Sequence, residues 1–221
     1  MLQQKIRYLQ IAFNGDRESV DAILPRLPKS NRILIEAGTP FIKREGYGGL
    51  RKISSMWDGE IVADLKCMDG AIGEVELAYR AGATAATVLG GASFETIDLF
   101  VKECNGRGII SMVDMINVAQ PLKILVKLRN HPQVVILHRG RDEENTRGKV
   151  IDYKQVSKIR SKFDVLIAAA GGIDLREARS AIFNGANIVV VNIVAENDPW
   201  RGIREDQNVQ EIAEQFLKTI E

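Results

Sequence analysis

The stretch Val165-Leu166-Ile167-Ala168-Ala169-Ala170-Gly171-Gly172-Ile173-Asp174 decides the fold. It opens as a short run that is apolar on both faces, the pattern of a parallel strand covered on both sides. Gly171-Gly172 then forms a tight turn, and Asp174 ahead of Leu175-Arg176-Glu177 reads as the N-cap of a helix. The helical pattern covers 174–184 and stops at Gly185, a residue suited to a helix C-terminus. A second apolar run, Ile188-Val189-Val190-Val191, follows. Strand, turn, helix and strand make one parallel βαβ unit.

The same unit repeats back toward the N-terminus. Apolar runs, several of them β-branched, recur at 9–13, 33–35, 61–63, 85–89, 109–113 and 134–137. Helical patterns cover 19–24, 72–80, a segment opening at 93, 121–130, 152–162 and 207–220. Ser93 reads as an N-cap, and Pro121 suits a first turn. The count is eight strands alternating with seven helical patterns, in a chain of 221 residues. That predicts one domain, 1–221, folded as a compact (β/α)8 TIM barrel. The rival is a doubly wound open sheet, which would need a glycine-rich nucleotide loop after the first strand. Phe13-Asn14-Gly15-Asp16 stands there instead, with no GxGxxG.

Composition excludes several function classes. The 30 Lys+Arg and 29 Asp+Glu nearly cancel, so there is no electrostatic footprint for nucleic acid or an anionic membrane. Aromatic residues are only 6%, too few for base-stacking platforms. Cys67 and Cys104 cannot form a disulfide framework, and no Cys/His cluster suggests zinc. They read as packing residues, and His131, before Pro132, as structural. No apolar run approaches the roughly 20 residues of a membrane span. The longest, 186–195, is broken by Asn187 and Asn192. The chain opens Met-Leu-Gln-Gln-Lys-Ile-Arg without a long apolar run behind the charges, so a secretory signal is not supported. The expectation is a soluble, cytoplasmic protein.

The residues that end the strands carry the chemistry. They are Asn14, Glu36, Asp64, Asp114, His138 and Gly171-Gly172 on the first, second, third, fifth, sixth and seventh strands. In a parallel barrel these ends converge on the face where active sites sit. A single Asp at a strand end is most simply a loop cap, but three carboxylates and a histidine on one rim need counter-charge. In Asp64-Leu65-Lys66-Cys67-Met68-Asp69 an extended strand end would point Asp64 and Lys66 the same way, ammonium beside carboxylate. Asp69 reads equally as N-cap for the helix opening at Gly70-Ala71. Glu36 and Asp64, on neighbouring strands, form an oxygen-donor pair suited to Mg2+. His138 precedes Arg139-Gly140-Arg141-Asp142, whose arginines point to an anionic ligand. The polar stretch 139–149 would be a loop on the catalytic face, and the Gly171-Gly172 turn can face an anion with its backbone N–H groups.

These motifs resemble a known family. Glu36-Ala37-Gly38-Thr39-Pro40-Phe41-Ile42-Lys43-Arg44-Glu45-Gly46 resembles the strand-two signature of 3-hexulose-6-phosphate synthase. Ala63-Asp64-Leu65-Lys66-Cys67-Met68-Asp69 resembles the D-x-K-x-x-D motif of the orotidine 5'-monophosphate decarboxylase suprafamily. Thr87-Val88-Leu89-Gly90 and Val113-Asp114-Met115-Ile116 are also similar to the synthase. His138-Arg139-Gly140-Arg141-Asp142 is closer to its relative, 3-keto-L-gulonate-6-phosphate decarboxylase. The resemblance implies a homodimer of (β/α)8 barrels acting on a sugar phosphate with Mg2+ at each site. Glu36 and Asp64 would hold the metal, Lys66 would hydrogen-bond the reacting oxygens, and Asp69 would reach into the partner's site. Asp114, His138 and Arg141 would contact substrate or move protons, with Arg139 and Asn14 as further substrate contacts. Gly171 and Gly172 would face the phosphate. The implied reaction is an aldol interconversion of ribulose 5-phosphate plus formaldehyde with hexulose 6-phosphate, through a metal-stabilised enediolate. A β-keto sugar acid phosphate decarboxylase, or a diverged member acting on another sugar, is the alternative, and a non-catalytic sugar-binding barrel the reading from another class. Two departures stand out. Asn14 replaces the family's usual Asp, and the eighth strand carries Val190-Val191-Asn192 where the family usually has Gly-Arg or Gly-Gly for phosphate. Arg201 and Arg204, in the loop beyond, are the candidates to compensate.

Overall fold

A computed structural model describes residues 2–146 and 149–221; Met1, and Arg147 and Gly148 of the polar stretch 139–149, lie outside the described residues. Eight parallel strands follow one another in chain order. They are β1 (Tyr8–Phe13), β2 (Ile33–Ala37), β3 (Ile61–Cys67), β4 (Ala85–Leu89), β5 (Ile110–Asp114), β6 (Val134–His138), β7 (Leu166–Ala170) and β8 (Ile188–Val194). β1 pairs with β8 from Tyr8↔Ile188 to Ala12↔Asn192, which closes the sheet into a barrel and removes the open-sheet rival. The helices are α1 (Arg17–Ile23), α2 (Thr39–Met56), α3 (Ala71–Arg80), α4 (Phe94–Arg107), α5 (Pro121–Leu125), α6 (Lys154–Arg160), α7 (Leu175–Phe183) and α8 (Val209–Thr219). Among the described residues no helix is long and apolar enough to cross a membrane.

The strands are apolar on both faces because each face meets a different core. Leu9, Ile11 and Phe13 of β1 pack outward under the helices, while Tyr8 and Ala12 point into the barrel. The same period of two puts Leu34, Val62, Met112, Ile136, Ala168 and Val190 inside. Continued toward the strand C-termini, the inward positions become Glu36, Asp64, Asp114 and His138. The register that fills the barrel therefore also aims its polar groups at the upper rim.

The caps follow the sequence. Ser93 accepts the Thr96 N–H and Asp174 accepts the Glu177 N–H, as expected, and Asp16 caps α1 through the Ser19 N–H. Gly185 takes the left-handed conformation (φ 95°) just past α7. Other boundaries differ. The helix expected to run to Asn130 ends at Leu125, because Asp98 of α4 accepts the N–H groups of Arg129 and Asn130 at 2.8 Å each and holds that segment as a turn. α2, after β2, has no clean sequence pattern, since Gly46, Gly48 and Gly49 interrupt it. The helix bends at Gly46 (φ 60°, ψ −153°), and Gly49 lets the backbone lie against Phe41. Gly70 (φ 69°), not Asp69, caps α3, and no side chain bonds there. A two-residue strand the sequence did not announce, β9 (Ile203–Arg204), pairs with the end of β8.

Candidate active site

A cavity of about 410 Å3 opens at the C-terminal rim of the barrel, lined by Gln10, Asn14, Glu36, Asp64, Lys66, Asp114 and His138 among others. Its centre is a chain of alternating charges. Asp64 Oδ2 accepts Lys66 Nζ at 2.7 Å, and the same ammonium reaches Asp114 Oδ2 at 3.0 Å. Asp114 in turn faces His138 Nδ1, 2.9 Å from Oδ2. Lys66 and Asp64 meet for a different reason than simple strand alternation. β3 bulges there: Ala63 pairs with Ala86 and Cys67 with Val88, four residues against two, and Lys66 sits at φ 46°. The Lys66 backbone N–H donates to Thr87 Oγ1 at 2.9 Å, which fixes the bulge.

Three polar residues that sequence reasoning missed support this chain. Thr87 Oγ1 donates to Asp64 Oδ1 and Thr39 Oγ1 to Asp64 Oδ2, both at 2.8 Å. Gln10 Nε2 donates to Glu36 Oε2. Thr87 and Gln10 stand at inward positions of β4 and β1, so the period-two register was the signal that could have found them. Thr39 opens α2, the helix whose start the sequence did not reveal.

Electrostatics fix the protonation states. Burial is the largest single influence on Asp114 and His138 and works against both charges, but their mutual attraction and hydrogen bond, joined by Lys66 for Asp114 and by Asp64 for His138, together outweigh it. Asp114 is held well below the usual carboxylate range by His138 and Lys66, and His138 is held above the usual imidazole range by Asp114. Burial likewise opposes the Lys66 charge, but Asp64 and Asp114 more than restore it. Glu36 behaves in the opposite way. Burial, with Asp64 adding to it, pushes its carboxyl up to about 7 against the pull of Lys66 and Gln10.

That strain bears on the metal. Glu36 and Asp64 line one cavity, Asp64 raises the cost of the Glu36 charge, and Gln10 Oε1 is buried without a partner among the described residues. Two carboxylates and a neutral oxygen are hard donors of the kind Mg2+ takes, with water or substrate oxygens completing its shell. No set of three His, Cys, Asp or Glu side chains already converges at metal-ligand spacing among the described residues. The residues therefore fit a two-carboxylate Mg2+ site, not a closed protein cage.

The remaining expected site residues divide. Asn14 donates to Asn192 Oδ1 at 3.1 Å, and this amide pair and Val190 form the wall below β8. Arg141 lines the cavity, with its guanidinium 5.6 Å from the centre of the Trp200 ring. Gly171 lines the cavity, whereas Gly172 and Arg139 stand behind it. Arg139 is buried, donating to Gly171 O at 2.8 Å and Lys149 O at 3.2 Å. Asp69 is exposed and outside the cavity of this chain. Arg201 and Arg204 do not replace a strand-eight cation. Arg201 lies 3.6 Å from Asp174, Arg204 donates to Ala195 O at 3.1 Å in its own loop, and neither lines the cavity. Cys67 and Cys104 lie in the outer core, where burial pushes their thiols up to about 11 and about 12, and His131 stacks on Phe163.

Comparison with known proteins agrees with this geometry. The chain is 37% identical over 215 residues to the "Bifunctional enzyme Fae/Hps" of Methanosarcina barkeri, an alignment covering 96% of this chain and 52% of that protein. The chain thus spans about half the length of the curated relatives it matches. A crystal structure of 3-hexulose-6-phosphate synthase superposes with a TM-score of 0.79 at 25% identity, covering 97% of this chain and 100% of that one. The 3-keto-L-gulonate-6-phosphate decarboxylase of Vibrio cholerae O1 shares the fold with a TM-score of 0.77 at 21% identity over 98% of both chains. Residues 7–215 match the family described as Orotidine 5'-phosphate decarboxylase / HUMPS, and the chain belongs to that family.

Proposed function

We propose that this chain is a Mg2+-dependent aldolase of the 3-hexulose-6-phosphate synthase type, interconverting ribulose 5-phosphate plus formaldehyde with hexulose 6-phosphate. The observation that carries the reading is the Asp64–Lys66–Asp114–His138 charge chain beside a strained Glu36. Glu36 and Asp64 would hold the ion. When bound, Mg2+ supplies Lewis-acid stabilisation of negative charge on adjacent substrate oxygens. Lys66, held between two carboxylates, keeps a fixed ammonium where the enediolate charge develops. Asp114 engages His138 Nδ1 and leaves Nε2 to exchange a proton with substrate. The enediolate carbon then bonds to the formaldehyde carbon as the formaldehyde C=O opens and its oxygen takes a proton from His138 Nε2, and in reverse that bond cleaves and the proton returns. Asn14 and Asn192 offer amides to sugar hydroxyls, and Arg141 offers a cation to the anionic end.

We further propose a cytoplasmic homodimer in which Asp69 serves the partner's cavity. Asp69 is exposed, and Met68 and Ile72 beside it are 56% and 49% exposed, apolar surface that a second copy would cover. The test is formaldehyde consumption dependent on ribulose 5-phosphate and abolished by EDTA. Absence of turnover with Mg2+ and both substrates overturns the aldolase reading. The presence of Arg141 in the cavity favours a second reading, decarboxylation of 3-keto-L-gulonate 6-phosphate, and carbon dioxide release from that compound without aldol activity would establish it instead.

A further inference from the structure

The loop between β6 and α6 places in the cavity a carboxylate that the proposed chemistry does not use. Glu144 lines the cavity, is 9% exposed, and has its Oε2 buried without a hydrogen-bond partner among the described residues. Behind it, the equally buried Arg139 has an unpartnered Nε among the described residues, although its Nη2 donates to Gly171 O. The two unsatisfied atoms belong to one cluster around the glycine turn. Gly171 and Gly172 are both left-handed, at φ 101° and 65°. A Cβ on Gly172 would collide with Arg139 Nη2 and stand 3.0 Å from Glu144 Oε2. Burial raises the Glu144 carboxyl, and Arg139, Arg141 and the Gly172 backbone pull it back only in part. A buried guanidinium N–H and a backbone N–H at a glycine turn are a donor set for an oxyanion. The cavity lining includes Glu144 and Gly171 but neither Arg139 nor Gly172, so those two groups do not face the cavity in this structure.

We propose that Glu144 is a specificity-determining residue that occupies the anion subsite at Gly171–Gly172, so that a phosphoryl group reaches the Arg139 and Gly172 N–H donors only by displacing it. This rests on the reading that the cavity receives a phosphorylated sugar. It also supplies the cation that β8 lacks: the phosphoryl partner is Arg139, uncovered when Glu144 leaves. A neutral hydroxyl cannot compete with a carboxylate for a guanidinium, whereas a phosphoryl dianion can, so Glu144 selects for the doubly charged end of the substrate.

Calorimetric titration with inorganic phosphate tests this on the wild-type chain, Glu144→Gln and Glu144→Ala, with melting curves confirming that each is folded. Removing the competing charge is expected to tighten phosphate binding by about tenfold in both variants, since opposed like charges cost that much or more. Phosphate is also expected to shift the Gly172 amide resonance of the wild type, a readout that needs no variant. Phosphate affinity equal to or weaker than wild type in the folded variants, no binding included, overturns the proposal, as does a Gly172 amide that ignores saturating phosphate. Phosphate titration needs no turnover, which separates the two claims. Tightened binding without aldol activity sinks the proposed reaction and leaves the role of Glu144. Aldol activity with unchanged phosphate affinity does the reverse.

Discussion

His138 Nδ1 lies 2.9 Å from Asp114 Oδ2, and each residue holds the other in its charged form inside the barrel mouth. The pair couples site and stability with a definite sign. Asp114 has a depressed value, so its contribution is present above the ordinary 3.8 and lost as pH falls through the folded value. His138 has a raised value, so its contribution is complete below the ordinary 6.5 and lost as pH rises through the folded value. His138→Gln is therefore expected to cost most between about pH 4 and 6.5, on the order of 2–4 kcal/mol, and progressively less above that window. Urea unfolding across pH measures it, and a penalty independent of pH would remove the ion pair from the account.

Lys66 combines the proposed catalytic role with backbone strain. Its φ of 46° is left-handed, which costs a non-glycine residue about 1–2 kcal/mol. Both Lys66→Ala and Lys66→Gly remove the ammonium, and each is expected to lower kcat/KM for the proposed reaction by about 100- to 1000-fold. They should differ in stability, with the glycine variant the firmer by about 1 kcal/mol, because only glycine relieves the strain. Equal stability of the two variants would show that the bulge relaxes when Lys66 is lost.

The fold was legible because each strand repeats one physical rule. Both faces of Ile33-Leu34-Ile35 and Val134-Val135-Ile136-Leu137 are apolar, and that pattern permits little besides a covered parallel sheet. The charged members of the site were legible because Glu36, Asp64, Asp114 and His138 end apolar runs. What stayed hidden depends on tertiary contact. Thr87 and Gln10 are ordinary polar residues until the barrel closes and gives them Asp64 and Glu36 as partners. The early end of α5 is imposed by Asp98, thirty-one residues before Arg129. The bulge at Lys66 depends on pairing with β4, so the extended geometry expected for Asp64 and Lys66 reaches the right contact by the wrong path.

The cysteines give a test of the outer core that is independent of the site. Thiolates, not thiols, react with disulfide reagents, and burial has pushed Cys67 up to about 11 and Cys104 up to about 12. At pH 8 the native chain is expected to show neither thiol to an aromatic disulfide such as DTNB over minutes, and both in denaturant. Rapid labelling of one thiol in the native chain would mean that its element, β3 for Cys67 or α4 for Cys104, opens locally, as native elements of low local stability do.

Glu36 carries the clearest conflict between stability and the proposed function. Its carboxyl is raised to about 7 from an ordinary 4.5 by burial and by Asp64. For an acid with a raised value the sign is reversed: ionisation costs the folded state, so stability is fullest below about 4.5, declines as pH rises to about 7, and is level above that. Glu36→Gln removes that cost while keeping shape. Without divalent cation at pH 8 the variant is expected to be more stable than wild type by on the order of 2–3 kcal/mol, and near parity at pH 5. Adding Mg2+ should stabilise the wild type by mass action and leave the variant nearly unmoved, which reverses or erases the gap. Thermal melts at two pH values, with and without Mg2+, read all four cases. An equal Mg2+ response in both chains would place the ion away from Glu36 and take the two-carboxylate site with it.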